Sequence, residues 1–216
     1  MTQQHLSVVI LAAGQGTRMK SRLPKVLHPI GGKSLLAHVI QTASELHPQQ
    51  TVVVYGHGGE HVKTTLANEE VKWVEQQQQL GTGHAVDQAT PFLNDDHIIL
   101  VLYGDVPLIN ASTLADLVKQ ASGDCLAILT VHLQDPHGYG RIVRDSQGHI
   151  QRIVEQKDAS QQELAISEIN TGILAVSAKH LKAWLKEYRI PAATDGMLEE
   201  LDVQFSAGGF PPFDRR

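Results

Sequence analysis

Residues 7–25 read SVVILAAGQGTRMKSRLPK. The run Ser7–Ala12 is unbroken by charge, which suits a strand buried on both faces of a parallel sheet. It ends in Gly14-Gln15-Gly16, a small-residue turn at the strand's carboxyl end, the edge where open α/β sheets bind ligands. Gly14 and Gly16 allow close backbone approach, so amides can point at a phosphate. Arg18 and, after Leu23-Pro24, Lys25 add two positive charges. Two common phosphate motifs fail. The Walker pattern needs glycine five positions before Gly32-Lys33-Ser34, where Leu27 stands, and the dinucleotide pattern needs a third small residue near Met19.

Outward from this stretch, apolar runs alternate with helical spacing. Ser34 caps a predicted helix carrying Leu35, Leu36, Val39, Ile40, Ala43 and Leu46. Strands are predicted at 51–55, 71–75 and 97–103, with helices at 61–67, 82–90 and one capped by Asn110 or Ser112. After residue 124 the rhythm changes. A strand over 125–133 precedes segments 140–144 and 149–155, which flank Asp145-Ser146-Gln147-Gly148 as a hairpin. A strand at 169–176 and a helix from Lys179 to Lys186 follow. The expected fold is a doubly wound, Rossmann-like mixed α/β sheet with a more antiparallel back half.

Composition narrows the function. The 216 residues are 42% hydrophobic and 19% charged, with a net charge of −5. That balance disfavours nonspecific nucleic-acid binding, so phosphate recognition must come from a local cluster. The single cysteine, Cys125, excludes an internal disulfide and sits in an apolar run, which predicts an inert core thiol in a reducing compartment. The first apolar run is too short, and lacks the preceding basic residues, for a signal peptide. No segment approaches the ~20 apolar residues of a membrane span. A cytoplasmic location is expected.

Other polar groups cluster at predicted strand ends. Asp105, in Leu102-Tyr103-Gly104-Asp105-Val106-Pro107, suits a hard cation such as Mg2+ that bridges substrate phosphates, and Gly104 is read as room for a ligand. Gln76 offers a donor and acceptors to a base edge, near Gly81-Thr82-Gly83. Gly138-Tyr139-Gly140-Arg141, Glu155 and Asn170-Thr171-Gly172 place small and hydrogen-bonding groups where sugar hydroxyls need partners. His57-Gly58-Gly59-Glu60-His61 has zinc-protease spacing, but two glycines oppose the helix it needs by about 1 kcal/mol each.

The ordered set LAAGQGTRM…LPKVLH (11–28), VYGHGG (54–59), Q…LGTGHA (76–85), LYGDVPL (102–108), DPHGYGRI (135–142), IVEQKDA (153–159) and EINTGIL (168–174) resembles the sugar-1-phosphate nucleotidyltransferases. Within them it resembles the uridyltransferase domains of the bacterial bifunctional N-acetylglucosamine-1-phosphate uridyltransferase/glucosamine-1-phosphate acetyltransferases, over roughly residues 5–186. The resemblance implies the nucleotide-diphospho-sugar transferase fold. It also implies the joining of UTP and N-acetylglucosamine 1-phosphate into UDP-N-acetylglucosamine and pyrophosphate, with Mg2+. Leu11, Ala12, Ala13 and Gly14 would line the nucleotide, Arg18 and Lys25 would bind its phosphates, and Gln76, Gly81 and Thr82 would read the uracil side. Tyr103, Gly104 and Asp105 would sit at the reacting centre, Asp105 on the metal. Gly140, Glu155 and Asn170 would hold the sugar.

The resemblance further implies a GEYYITD-like segment after the helix at 179–186, an asparagine as second metal ligand, and a trimer-forming β-helical acetyltransferase domain. None has a counterpart in 188–216. The expectation is therefore a nucleotidyltransferase domain over 1–187, incomplete at its C-terminal end, a divergent, poorly ordered tail over 188–216, and a monomer with impaired turnover. Two alternatives stay open: a nucleotide-binding remnant without chemistry, and a related transferase using another sugar or base.

Overall fold

Strand β1 (His5–Ala12) lies between two parallel partners, β4 (Gln50–Gly56) and β6 (His97–Tyr103). Val8, Val9 and Ile10 are fully buried, because helices cover both faces. The computed structural model describes residues 5–14, 19, 21, 23–56, 59–121 and 125–187. The described residues form an eight-stranded sheet of order β5-β4-β1-β6-β10-β8-β9, where β5 is Lys72–Gln76, β8 Arg141–Arg144, β9 Ile150–Val154 and β10 Glu168–Ser177. A further strand, β7 (Ala127–His132), pairs with β10. A two-stranded hairpin of β2 (Pro29–Ile30) and β3 (Lys33–Ser34) stands apart.

The front half, β5-β4-β1-β6, is parallel throughout. Helices α1 (Leu35–Ser44), α2 (Glu60–Thr65) and α4 (Ala111–Gln120) cover one face, burying Leu36, Val39, Val62, Leu114 and Leu117 against Val8, Ile10, Val53, Leu100 and Leu102. Helices α3 (Thr82–Ala89) and α6 (Ala178–Glu187) cover the other, setting Ala85, Val86, Leu181 and Leu185 on Val9, Val52, Val54 and Val101. Ser34 starts α1 as expected, its Oγ accepting the Ala37 N–H at 3.2 Å. Asn110 occupies the cap position of α4, although its side chain makes no capping bond.

The back half is antiparallel. β8 and β9 form the expected hairpin, and β10 runs antiparallel to β6, β7 and β8. A short helix, α5 (Gln161–Leu164), was not anticipated; it is held by a reciprocal capping box between Ser160 and Glu163. Cys125 corrects an expectation: it precedes β7, outside the strand, and is only half-buried. His97 is buried, 2.6 Å from Ser7 Oγ. Residues 188–216 and Arg18 lie outside the described residues, as do His57 and Gly58 of the zinc-like spacing. Among the described residues there is no cluster of three metal-ligating side chains, and no helix is long and apolar enough to cross a membrane.

One ion pair ties the back half together. Glu168, only 8% exposed, accepts from Arg144 at 2.7 and 2.6 Å and from Thr130 Oγ1 at 2.7 Å. The Arg144 hydrogen bonds hold its carboxyl below the usual glutamate range, against the opposing push of burial. A folded pKa below the unfolded one gives stability that is present above the unfolded value of about 4.3 and lost as pH falls through the folded value. Glu168→Gln should therefore cost about 2 kcal/mol near neutral pH by urea unfolding. The gap to the wild type should narrow as pH is lowered toward about 3.

Candidate active site

Because β1, β4, β5 and β6 are parallel, their carboxyl ends share one edge. The register sets Leu11 opposite Tyr103, Ala12 opposite Tyr55, and Gly56 opposite Gln76. The neighbours of β1 lead off in opposite directions, so the chain leaving Ala12 enters a switch-point crevice. A cavity of about 620 Å³ opens there, within the usual range for a small-molecule site. Leu11, Ala12, Ala13 and Gly14 form one wall, with Lys25 and Val26; Tyr103 and Asp105 form another; Gln76, Gln79, Gly81, Thr82 and Ala85 line the third.

The charged centre is a pair. Lys25 Nζ lies 2.5 Å from Asp105 Oδ2, with side chains 43% and 27% exposed. Lys25 opens a single 3-10 turn, Lys25–Leu27, whose Val26 and Leu27 are buried, so the lysine is anchored at its base while its paired tip stays partly exposed. Asp105 follows β6 in a turn in which the Val106 N–H donates to the Tyr103 carbonyl at 3.2 Å. Gly104 is fixed to β1 through its N–H, which donates to the Leu11 carbonyl at 2.9 Å. A side-chain carbon at Gly104 would meet Leu36 Cδ1 at 3.1 Å and the Leu11 carbonyl at 3.3 Å. This corrects the reading of Gly104 as room for a ligand: its space is taken up by the fold itself, bringing Asp105 close to β1.

Gln76 is 2% exposed. Its Nε2 donates to the Gly81 carbonyl at 3.1 Å and lies 3.0 Å from His84 Nδ1. Part of the carboxamide thus shapes the loop that starts α3. Gly81, with φ +98°, caps that helix in a conformation that favours glycine, and Thr82 begins it.

The three predicted sugar-side residues also come together. A side-chain carbon at Gly140 would lie 2.6 Å from Glu155 Oε1. The Gly140 carbonyl accepts the Asn170 N–H at 2.9 Å. Asn170 Oδ1 accepts from the Gly172 N–H at 2.8 Å, which shapes an irregularity in β10 between Asn170 and Leu174. Gly172, at φ +77°, lies against the Tyr103 ring, 2.7 Å from where its side-chain carbon would be. The chain of contacts Tyr103–Gly172–Asn170–Gly140–Glu155 therefore joins the sugar-side group to the cavity wall. The turn before Gly140 is braced by buried Arg141, which donates to the Tyr139 carbonyl, and by Gln156 Oε1, which accepts from the Gly138 N–H. Gly172 was read from sequence only as a small residue of the sugar-side group, without its contact to Tyr103; Gln79 was missed. Gln79 is one of four consecutive glutamines, 76–79, with nothing to single it out.

A nucleotide-sized crevice at a switch point, with an acid and a base at its rim and an antiparallel flank beside it, defines a nucleotide-handling α/β transferase fold. The chain belongs to the family of MobA-like NTP transferase domains, whose model matches residues 8–181. It is 60% identical over 177 residues to the bifunctional protein GlmU of Alcanivorax borkumensis, covering 82% of this chain and 39% of that protein. It is 58% identical over 180 residues to GlmU of Marinobacter nauticus, covering 83% and 40%. The chain thus spans about two-fifths of the length of the curated relatives it matches. Among solved structures, HddC from Yersinia pseudotuberculosis superposes with TM-score 0.67 at 24% identity, covering 90% of this chain and 84% of that one. A UDP-glucose pyrophosphorylase complexed with UDP-glucose gives 0.65 at 19%, covering 85% and 80%. These structures share the nucleotide-diphospho-sugar transferase fold.

The Tyr103–Gly172 contact generates a comparison. Gly172→Ala should lower stability by about 2 kcal/mol, through backbone strain and displacement of the ring. Gly138→Ala, at φ +87° but with open space around it, should cost only the strain, about 1 kcal/mol. Urea unfolding of both variants measures the difference.

Proposed function

We propose that the cavity joins UTP and N-acetylglucosamine 1-phosphate into UDP-N-acetylglucosamine and pyrophosphate. The observation that carries this reading is the Lys25–Asp105 pair on the rim of a cavity that the Ala12–Gly14 turn also lines. A triphosphate in a protein of net charge −5 needs positive charge where its phosphates lie. The high identity to the GlmU proteins supports the choice of uracil and N-acetylglucosamine.

No protein nucleophile is required. A phosphate oxygen of the sugar phosphate attacks the α-phosphorus of UTP, a new P–O bond forms, and the bond to the β-phosphate breaks. The electron pair leaves on pyrophosphate. The protein's work is alignment and charge neutralisation. The backbone from Leu11 to Gly14 lines the nucleotide, and Gln76, Gly81 and Thr82 face its base. Lys25 exchanges Asp105 for phosphate oxygens, an exchange its exposed tip allows. Arg18, outside the described residues, is assigned by resemblance to the departing pyrophosphate. Tyr103 and Gly104 flank the reacting centre, and Gly140, Glu155 and Asn170 take the sugar.

Asp105 also fits a divalent cation. It is a partly exposed carboxylate on the cavity wall, and Mg2+ is commonly held by one or two carboxylates together with substrate phosphates and water. When bound, Mg2+ would neutralise charge shared by the α-phosphate and the incoming phosphate.

The test is pyrophosphate release from UTP and N-acetylglucosamine 1-phosphate with Mg2+. Turnover should depend on the metal, disappear with a chelator, and fall on the order of a hundredfold in Asp105→Ala. Unchanged turnover in that variant would remove Asp105 from the centre. UTP-induced thermal stabilisation without pyrophosphate release would instead mark a binding protein, and parallel assays with CTP, GTP and dTTP check the base.

A further inference from the structure

Gln79 has no part in the roles assigned above, and we infer that it is a positioning residue whose carboxamide locks the Ala13–Gly14 peptide for nucleotide binding. The inference rests on the reading that this cavity takes a nucleoside triphosphate. Gln79 lies in the connection between β5 and α3 and lines the cavity. Its Nε2 donates to the Ala13 carbonyl at 2.5 Å, across 66 residues of sequence.

The geometry around this bond is specific. A side-chain carbon at Gly56 would lie 2.4 Å from Gln79 Nε2 and 2.7 Å from the Ala13 oxygen. The hydrogen bond thus occupies the space that any larger residue at the end of β4 would fill. Gly56 is buried and closes the β4 ladder opposite Gln76, so the strand end, the base-side loop and the phosphate-side loop meet at one point.

The consequence falls on Gly14. A peptide unit is planar and trans, so its carbonyl and N–H point in opposite directions. With the Ala13 carbonyl held by Gln79, the Gly14 N–H in the same plane is held the other way. Among the described residues no other hydrogen bond holds this peptide. The ladder of β1 ends at Ala12, and among the described residues no atom beyond the chain neighbours lies within 4 Å of where a Gly14 side-chain carbon would be. Gln79 is therefore the next anchor after the strand itself. A triphosphate arriving there would find an amide already oriented, without the ordering cost of an open loop.

The closing experiment uses the full chain as wild type, Gln79→Ala and Gln79→Glu. Glutamate keeps the side chain's size but, ionised at neutral pH, has no proton to donate. The first readout needs no ligand. The Gly14 backbone order parameter, from nitrogen relaxation, should fall from the rigid range of about 0.85 toward 0.6 in both variants, with Tm unchanged within about 2 °C. The second is calorimetric titration with UTP and Mg2+, where Kd should rise about tenfold in both variants. An unchanged Gly14 order parameter, or rescue of both readouts by glutamate, overturns the inference. A wild type that binds no UTP while Gly14 still loosens in the variants overturns the nucleotide reading, and with it the purpose assigned to Gln79.

Discussion

The site exists because β1 is paired on both sides by parallel strands. Parallel pairing sends every carboxyl end to one edge, and double pairing removes any freedom of register. Val8, Val9 and Ile10 then face apolar neighbours on both faces. Burying each side chain is worth about 2 kcal/mol relative to exposure. A slip of one residue would exchange the two buried faces and move Ala13 and Gly14 relative to Asp105. The position of the glycine turn opposite the acid is thus set by core packing, with loop chemistry added to it. Gly104 makes the link explicit: its lack of a side chain lets the chain beyond β6 close on Leu11 and Leu36, and the next residue is Asp105.

Two acid–base pairs have opposite uses. Arg144–Glu168 is largely buried, and Thr130 also donates to the glutamate. Removing one partner would leave a charge in the interior, so the pair locks β7, β8 and β10 together. Lys25–Asp105 is much more exposed, and such pairs contribute about 0–1 kcal/mol. Opening it costs the fold little. In the free protein each charge neutralises the other; in the complex proposed above each would gain another partner, the lysine a phosphate and the aspartate a cation. Burial decides which pair is structural and which is exchangeable, although both rest on the same attraction.

The front half was legible in the sequence because doubly buried strands write continuous apolar runs. Ser7–Ala12 and His97–Tyr103 announce themselves, and Ser34 ahead of a helical stripe marks a helix start. The β8–β9 hairpin was legible from Asp145–Gly148. Helix α5 was not, although Ser160 and Glu163 spell a capping box, because its four residues carry no apolar stripe and none is buried. Cys125 misled because an apolar run does not state which residue begins its strand. Of the site, the residues at strand ends could be read and placed. What could not be read was who holds whom: that Gln76 is partly spent on Gly81, that Asn170 shapes its own strand, and that the fourth of four glutamines reaches Ala13. Those are long-range geometric facts, and spacing along the chain does not encode them.

The antiparallel back half sets a second group of residues beside the cavity. A fifth parallel strand beside β6 would need a crossover helix, and its carboxyl end would add another loop to the same crevice. β10 instead runs the other way, so its early residues, Asn170 to Gly172, lie beside the end of β6. There the chain irregularity fits a glycine against Tyr103. That contact links the end of the parallel half-sheet to the group of residues proposed to take the sugar. The aromatic ring is the shared boundary: one group of residues reaches it from Leu11 through the sheet register, and another from Glu155 through Gly140 and Asn170. In the reaction proposed above, two phosphate-bearing substrates would meet at such a boundary, and Asp105 lies two residues beyond the ring on the cavity lining.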